Sequence, residues 1–416
     1  MNIFNIIAIM LTTVAFLAFI NARFIRLPTE VGLMGISLLV SLGVVQLSSR
    51  GVNVEPYVRG ILSQIDFSET LMNGLLSFLL FAGAVQFRLR DLAQEKYVIA
   101  LLATVGVAFA TFLTGGGLYF ALHSFGITIS FLGCLIFGAL ISPTDPVSLL
   151  AVLKNFKAPK SLEMKISGEA LFNDGVAVVL FFVLVSVASG KVGQIDADSV
   201  AMLLMRQLVG GGLFGLVLGW MAARMLRQID DFPVEVLITL ATACGGYALA
   251  HPLNVSGPVA VVTAALVIGN ENRKASPSKT AKHQLESFWE LINELLNAVL
   301  FVWIGLAVLA FSFTRVELTA GLIAIPVVLL ARFLSIWLAV FIFGFRADFR
   351  PSAYFLMTWG GIRGGVSIAL ALALASNSEQ DLLLSITYVV VVFSILVQGL
   401  SVGRFVKWFG SPGRSS

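Results

Sequence analysis

Charge is what this sequence has least of. Only 12% of its 416 residues are Asp, Glu, Lys or Arg, about half the share found in soluble proteins. Against that, 58% are apolar. So thin a polar skin cannot cover so much apolar side chain, which excludes an ordinary soluble domain and a disordered chain. Cysteine is equally scarce. Cys134 and Cys244 both lie in apolar runs, which excludes a disulfide framework and argues against a cysteine-built zinc site. The three histidines, His123, His251 and His283, are far apart and form no metal-binding cluster. The net charge of +4 invites a nucleic-acid reading. In so apolar a chain it reports basic residues in cytoplasmic loops instead, and no nucleic-acid partner is expected.

What is there is a series of apolar runs. A bilayer core needs about 20 apolar residues per helix. Runs of that kind lie near 3–20, 31–49, 69–86, 98–122, 127–153, 165–189, 200–223, 234–250, 256–270, 285–312, 318–345, 353–375 and 382–403. Residues 3–20 read as a true span, because no basic segment precedes them and Asn21-Ala22-Arg23 is a poor cleavage site. The loop charges support a count of 13. Of 27 basic residues, 20 fall in loops on one side, 5 on the other, and Arg332 and Arg363 lie inside spans. By the positive-inside rule the N-terminus is outside and the C-terminus cytoplasmic. The longest polar stretch, 270–284, is a loop rather than a soluble domain, and 404–416 form a short basic tail.

A charge at membrane depth costs about 2.5–3.5 kcal/mol and therefore marks function by default. Five stand out: Asp145, Glu169, Asp174, Arg332 and Arg363. Three acids and two bases leave one carboxylate over, which is what a cation or proton carrier needs. The plainer reading is that each is paired and simply holds helices together.

Asp145 lies in Ser142-Pro143-Thr144-Asp145-Pro146. Each proline removes an N–H, so the carbonyls of Ala139 and Ser142 lose their helical partners. Ser142 and Asp145 precede prolines and are pushed out of the α region. The helix is expected to break, and broken backbone at this depth must be buried or line a cavity. The freed carbonyls, the Thr144 hydroxyl and the Asp145 carboxylate are hard oxygens suited to a small cation. A second break is expected at Gly360-Gly361-Ile362-Arg363-Gly364-Gly365, where glycines weaken the helix by about 1 kcal/mol each. The clusters at 115–117 and 210–212 have no central arginine and read as close helix packing. If 200–223 is a linker, the two breaks fall in the fifth helix of each six-helix half, and the halves are inverted. Matched interrupted helices in inverted halves point to a transporter's binding site.

The third element is Gly168-Glu169-Ala170-Leu171-Phe172-Asn173-Asp174-Gly175. At about 100° per residue, Glu169 and Asn173 share one stripe and Ala170 and Asp174 the next. Asp174 thus looks across a small side chain that leaves room for a ligand. A carboxylate there holds a proton or a cation, rarely both, and that competition alone couples two fluxes.

Ser-Pro-Thr-Asp-Pro-Val, Gly-Glu-x-Leu-Phe-Asn-Asp-Gly-Val and Trp-Gly-Gly-Ile-Arg-Gly-Gly-Val occur in this order. Together they resemble the monovalent cation:proton antiporter 1 family, the bacterial NhaP-type and animal sodium–proton exchangers, and the resemblance runs from the first span to the last. It implies an all-α polytopic membrane protein of 13 transmembrane helices in two inverted six-helix repeats with crossed broken helices, the NhaA/NhaP-like antiporter fold. In that arrangement residues 1–403 form one transporter unit. A core domain is built from spans 4–6 and 11–13, a dimerisation domain from the remainder, and the protein is a homodimer in the cell membrane.

The resemblance further implies exchange of Na⁺ or Li⁺ for H⁺, with these ions as substrates, no cofactor and no enzymatic activity. Asp174 is then the carrier carboxylate, with Asn173, Thr144 and Asp145 beside it. Ser142, Pro143, Pro146, Gly361 and Gly364 form the breaks. Glu169 pairs with Arg332 as first choice and Arg363 as second. Asn173 stands where electrogenic relatives carry a second Asp, which implies one Na⁺ per H⁺. Two positions depart from the pattern. Ala170 replaces a Ser found in many members. No acid in the third span aligns with one that some members carry, although Gln86 and Glu69 are near.

Three other readings compete. K⁺/H⁺ exchange would use the same scaffold, because selectivity depends on cavity size and ligand number. An intramembrane aspartyl protease would use Asp145 and Asp174 as a dyad, but its Tyr-Asp and Gly-x-Gly-Asp settings are missing. A channel would line its pore with repeated rings of carbonyls or charges. Glu286, Glu290 and Glu294, spaced i, i+4, i+8 beside Trp289, read as an amphipathic entry at the cytoplasmic interface, with His283 in an exposed loop close by.

Overall fold

The computed structural model describes residues 3–51, 60, 74–145, 149–150, 153, 160–190, 197–275, 279–310, 313–343, 351–374 and 378–409. Among these residues the backbone is helical throughout, with no strand beyond one isolated β-bridge. The helices are α1 Ile3–Ile20, α2 Thr29–Ser49, α3 Leu76–Val85, α4 Leu89–Gln94, α5 Lys96–Ser124, α6 Phe131–Leu140, α7 Lys160–Ala188 and α8 Ala197–Leu226. They continue as α9 Phe232–Ala250, α10 Gly257–Ala275, α11 Lys279–Ala307, α12 Arg315–Phe343, α13 Pro351–Trp359, α14 Gly365–Leu372, α15 Ser378–Phe393 and α16 Gly399–Phe409. A π-helical turn, Ser394–Gln398, joins the last two.

Nine of the described helices are long and apolar enough to cross a membrane. Three shorter apolar helices join them: Leu76–Val85, Phe131–Leu140 and Gly257–Asn270. The stretch read from sequence as a span at 353–375 is divided into α13 and α14. Leu39, Phe120, Met202, Leu322 and Phe341 are each more than 60% exposed. Such a coat is at home in lipid, where apolar surface carries no cost.

With no hydrophobic force between helices in lipid, close approach depends on small residues. Gly211, Gly215 and Gly219, four apart on α8, lie against α10. A methyl on Gly211 would stand 2.8 Å from the Ser256 carbonyl, and one on Gly219 2.8 Å from the Ala264 backbone. One on Gly215 would run into the Ala260 backbone. The 115–117 cluster works in the same way. A methyl on Gly115 would stand 2.9 Å from Leu135 Cα on α6, while Gly116 faces open space.

Trp289 faces away from its acidic neighbours. It is fully buried, packs its ring 4.5 Å from that of Phe81 and donates to the Thr239 hydroxyl at 3.1 Å. Glu290 and Glu294 on the same helix are exposed, so the acidic stripe and the indole occupy different faces of α11. Lys165, assigned to a loop by its charge, is also buried, with Glu95 at 3.5 Å.

The α8–α10 seam supplies a paired test. Gly215→Leu is expected to lower stability by about 1–3 kcal/mol or more through overpacking. Gly212→Leu, whose Cβ would meet nothing within 4 Å, is expected to be near neutral. Thermal unfolding of the two purified variants in detergent checks this.

Candidate functional site

The first break is built as the sequence dictates, with one difference. Ser130 caps α6, its hydroxyl accepting from the Gly133 N–H at 2.9 Å. The helix ends at Leu140, three residues before Pro143. The Ala139 carbonyl, expected to be orphaned, is not: the chain tightens and the Ser142 N–H donates to it at 3.2 Å. The Ser142 hydroxyl turns back to the Gly138 carbonyl at 2.7 Å. The Ser142 carbonyl is the group left over, and two side chains from other helices donate to it. Asn173 Nδ2 of α7 reaches it at 2.9 Å and Arg363 Nη1 at 2.8 Å, the latter also 3.3 Å from the Pro143 carbonyl. Pro146 lies outside the described residues.

The second break lies against the first. Asp145 and Ile362 form an antiparallel bridge, the Asp145 N–H donating to the Ile362 carbonyl at 2.7 Å. The two interrupted helices therefore cross at their extended residues and satisfy one another's backbone. Gly364 makes the crossing possible, since a methyl there would stand 3.2 Å from Asp145 Cβ. Gly361 gives similar room to Arg332, whose Nε would lie 3.0 Å from an added methyl.

Further groups at this break are held by the π turn that follows α15. Ser394 accepts from the Arg363 N–H at 2.8 Å, and Gln398 Nε2 donates to the Trp359 carbonyl at 2.9 Å. Ser394 in turn donates to Gln398 Oε1 at 2.5 Å. A π turn is a common signature of a site that must aim particular side chains. Neither Ser394 nor Gln398 was singled out from the sequence. The available signal was a glutamine inside an apolar span.

α7 carries the third set. Glu169 is buried and forms a two-pronged ion pair with Arg332 of α12: Nη2 to Oε2 at 2.8 Å, and Nη1 to Oε1. Of the two arginines considered for Glu169, Arg332 stands opposite it and Arg363 holds the break. One helical turn along α7, Asn173 is 1% exposed. Its Nδ2 serves the Ser142 carbonyl and lies 3.4 Å from Thr144 Oγ1. Its Oδ1 has no donor among the described residues. Asp174 is next. Its Oδ1 is buried and without a hydrogen-bond partner among the described residues, and the Thr144 backbone N–H faces the carboxylate.

Thr144, Asp145, Ala170 and Asp174 share the wall of one cavity of about 430 Å³. Arg88, Asp91 and Glu163 also line it, as do Gln86, Asn293 and Asn297. Arg88 is exposed, and Asp91 and Glu163 half-buried. The site thus combines hydroxyl, carboxamide and carboxylate oxygens with a path to charged residues. Hard oxygens of this kind suit small hard cations. Among the described residues no group of three or more His, Cys, Asp or Glu is placed to hold a metal ion. Asn293 and Asn297 were missed from sequence, although two asparagines four apart in an apolar stretch are a visible signal.

Removing one partner of a buried ion pair leaves an uncompensated charge. Glu169→Leu and Arg332→Met are each expected to cost about 3–5 kcal/mol, and the double variant to recover most of the loss. A double-mutant cycle on thermal stability measures this.

Comparison with known proteins places the chain in a family. The family model described as the transmembrane sodium/hydrogen exchanger matches residues 9–408. The chain is 43% identical to the Na⁺/H⁺ antiporter NhaP of Pseudomonas aeruginosa, over 98% of each chain. It is 31% identical to the Na⁺/H⁺ antiporter NhaH of Halobacillus dabanensis, over 94% of each. Its fold is that of the sodium proton antiporter MjNhaP1 from Methanocaldococcus jannaschii, with a TM-score of 0.77, 19% identity and coverage of 99% of this chain and 100% of that one. The crossed breaks, the carboxylates beside them and a match spanning nearly the whole chain assign this protein to the sodium/hydrogen exchanger family.

Proposed function

We propose that this chain is a secondary antiporter of the cell membrane that exchanges Na⁺ or Li⁺ for H⁺ in a one-to-one, electroneutral cycle. The observation that carries the reading is that Thr144, Asp145 and Asp174 share the wall of one cavity at the crossed breaks, with Asn173 held beside Thr144. The relatives' names supply the ion pair: NhaP of Pseudomonas aeruginosa and NhaH of Halobacillus dabanensis are both named as Na⁺/H⁺ antiporters.

In this reading Asp174 is the shared carrier. Protonated, it is neutral and needs no counter-charge. Ionised, it draws a cation from the cavity, and Thr144 and Asp145 offer further oxygens. Asn173 adds no charge, which matches one positive charge against one. Glu169–Arg332 and Arg363 are positioning groups. The first ties α7 to α12, and the second holds the carbonyls of the first break. Arg88, Asp91 and Glu163, which line the same cavity, belong to the side that the loop charges assign to the cytoplasm. The cavity is then the inward-facing half of an alternating-access cycle.

Thirteen crossings, with the N-terminus outside, the C-terminus inside and residues 404–416 as a cytoplasmic tail, complete the reading. So do inverted halves about 200–223, a core of spans 4–6 and 11–13 beside a dimerisation domain, and a homodimer. The antiparallel pairing of the two breaks supports the inversion.

The test uses purified protein in proteoliposomes with an acid interior. External Na⁺ or Li⁺ is expected to collapse the gradient, unchanged when valinomycin and K⁺ clamp the potential. Asp174→Asn is expected to abolish the collapse. Collapse by K⁺ alone would replace Na⁺ with K⁺ on the same scaffold, and no collapse by any cation would overturn the exchanger reading.

A further inference from the structure

The cavity beside Asp174 has a second wall, supplied by α11, and that wall is polar where apolar side chains would suffice. Asn293 and Asn297 both line the cavity and both are half-buried. Neither carboxamide hydrogen-bonds to another described residue. They stand four apart and so share one helical stripe. The position of Asn297 is fixed by its neighbours. Leu300, one turn on, packs against Gly365 at the start of α14. Gly364, the preceding residue, lies against Asp145. Asn297 is therefore held one turn from the crossing, and Asn293 one turn farther along α11.

A small cation leaving water replaces about six oxygens. Thr144, Asp145 and Asp174 bring only part of that number, and Ala170, on the same cavity wall, brings none. A carboxamide oxygen is a hard, neutral ligand. It can complete the shell without adding charge, so a proton on Asp174 can still displace the ion. An extra carboxylate there would hold the cation more firmly and change the charge balance of the cycle.

We propose that Asn297, with Asn293 behind it, supplies carboxamide oxygens to the cation held at Asp174, and that these two residues set the site's apparent affinity and its preference between Na⁺ and Li⁺. The proposal rests on the exchange reading and adds a specificity element to the same site, on a helix that carries none of the three sequence motifs.

The experiment measures Na⁺- and Li⁺-driven proton flux in proteoliposomes for wild type, Asn297→Ala, Asn297→Asp and Asn297→Ser. Asn297→Ala is expected to raise KM for Na⁺ about tenfold, the scale of losing a supporting ligand, and to alter the Na⁺:Li⁺ preference. Asn297→Asp is expected to lower KM, because an added negative charge attracts the cation. Asn297→Ser keeps an oxygen and is expected to fall between wild type and Asn297→Ala. Opposite movement of KM in the Ala and Asp variants is a signature that a packing role cannot give. KM values and ion preference within twofold of wild type in all three would overturn the proposal. So would a fall in maximal rate with KM unmoved. If Asn297→Ala fails to fold, the Asp and Ser variants and Asn293→Asp decide, and KM unmoved in those also overturns it. A wild type without flux would refute the exchange reading itself, which keeps the two failures apart.

Discussion

The structure depends on one constraint: inside a bilayer every backbone N–H and C=O must find a partner within the protein. Two helices here are interrupted at membrane depth, and each interruption frees groups that lipid cannot satisfy. The protein places the two interruptions against each other. The Asp145 N–H donates to the Ile362 carbonyl, Arg363 and Asn173 donate to the Ser142 carbonyl, and Gln398 donates to the Trp359 carbonyl. Each of these bonds joins two different segments of the chain, so the site cannot form until the fold is complete. The same contacts that satisfy the backbone also bring Thr144 and Asp145 onto one cavity wall with Asp174.

That dependence explains the buried charges around the site. A guanidinium at the first break carries its charge to the carbonyl end of α6, where helix dipole and freed carbonyls are negative. Arg363 does so, and Arg332 is left to Glu169. The Glu169–Arg332 pair joins α7 to α12 one turn from Asn173 and Asp174. Glycines at 361 and 364 are required by approach distance, because side chains there would meet Arg332 and Asp145.

Much of this was legible in the sequence, because the signals are costly ones. Prolines flanking Thr144-Asp145, an arginine among four glycines and acids in an apolar helix all carry penalties that only a buried site repays. The helical class and the position of both breaks follow from them. What was not legible depended on three-dimensional partners. The rescue of the Ala139 carbonyl by the Ser142 N–H is a matter of local φ/ψ. The role of Gln398 needed the π turn that brings it to Trp359. The packing of the Trp289 indole onto Phe81 and Thr239 also depends on helices distant in the chain. Asn293 and Asn297 carry no charge and break no helix, so only their four-residue spacing signalled them.

The central claim is that proton and cation share one carboxylate. Its most direct test is the KM for Na⁺ as a function of pH in wild-type proteoliposomes. Competition at Asp174 predicts that KM rises on acidification, approaching about tenfold per pH unit as one proton displaces one cation, with the maximal rate at saturating Na⁺ unchanged. A KM that stays flat while the maximal rate falls would place the proton elsewhere and contradict the account.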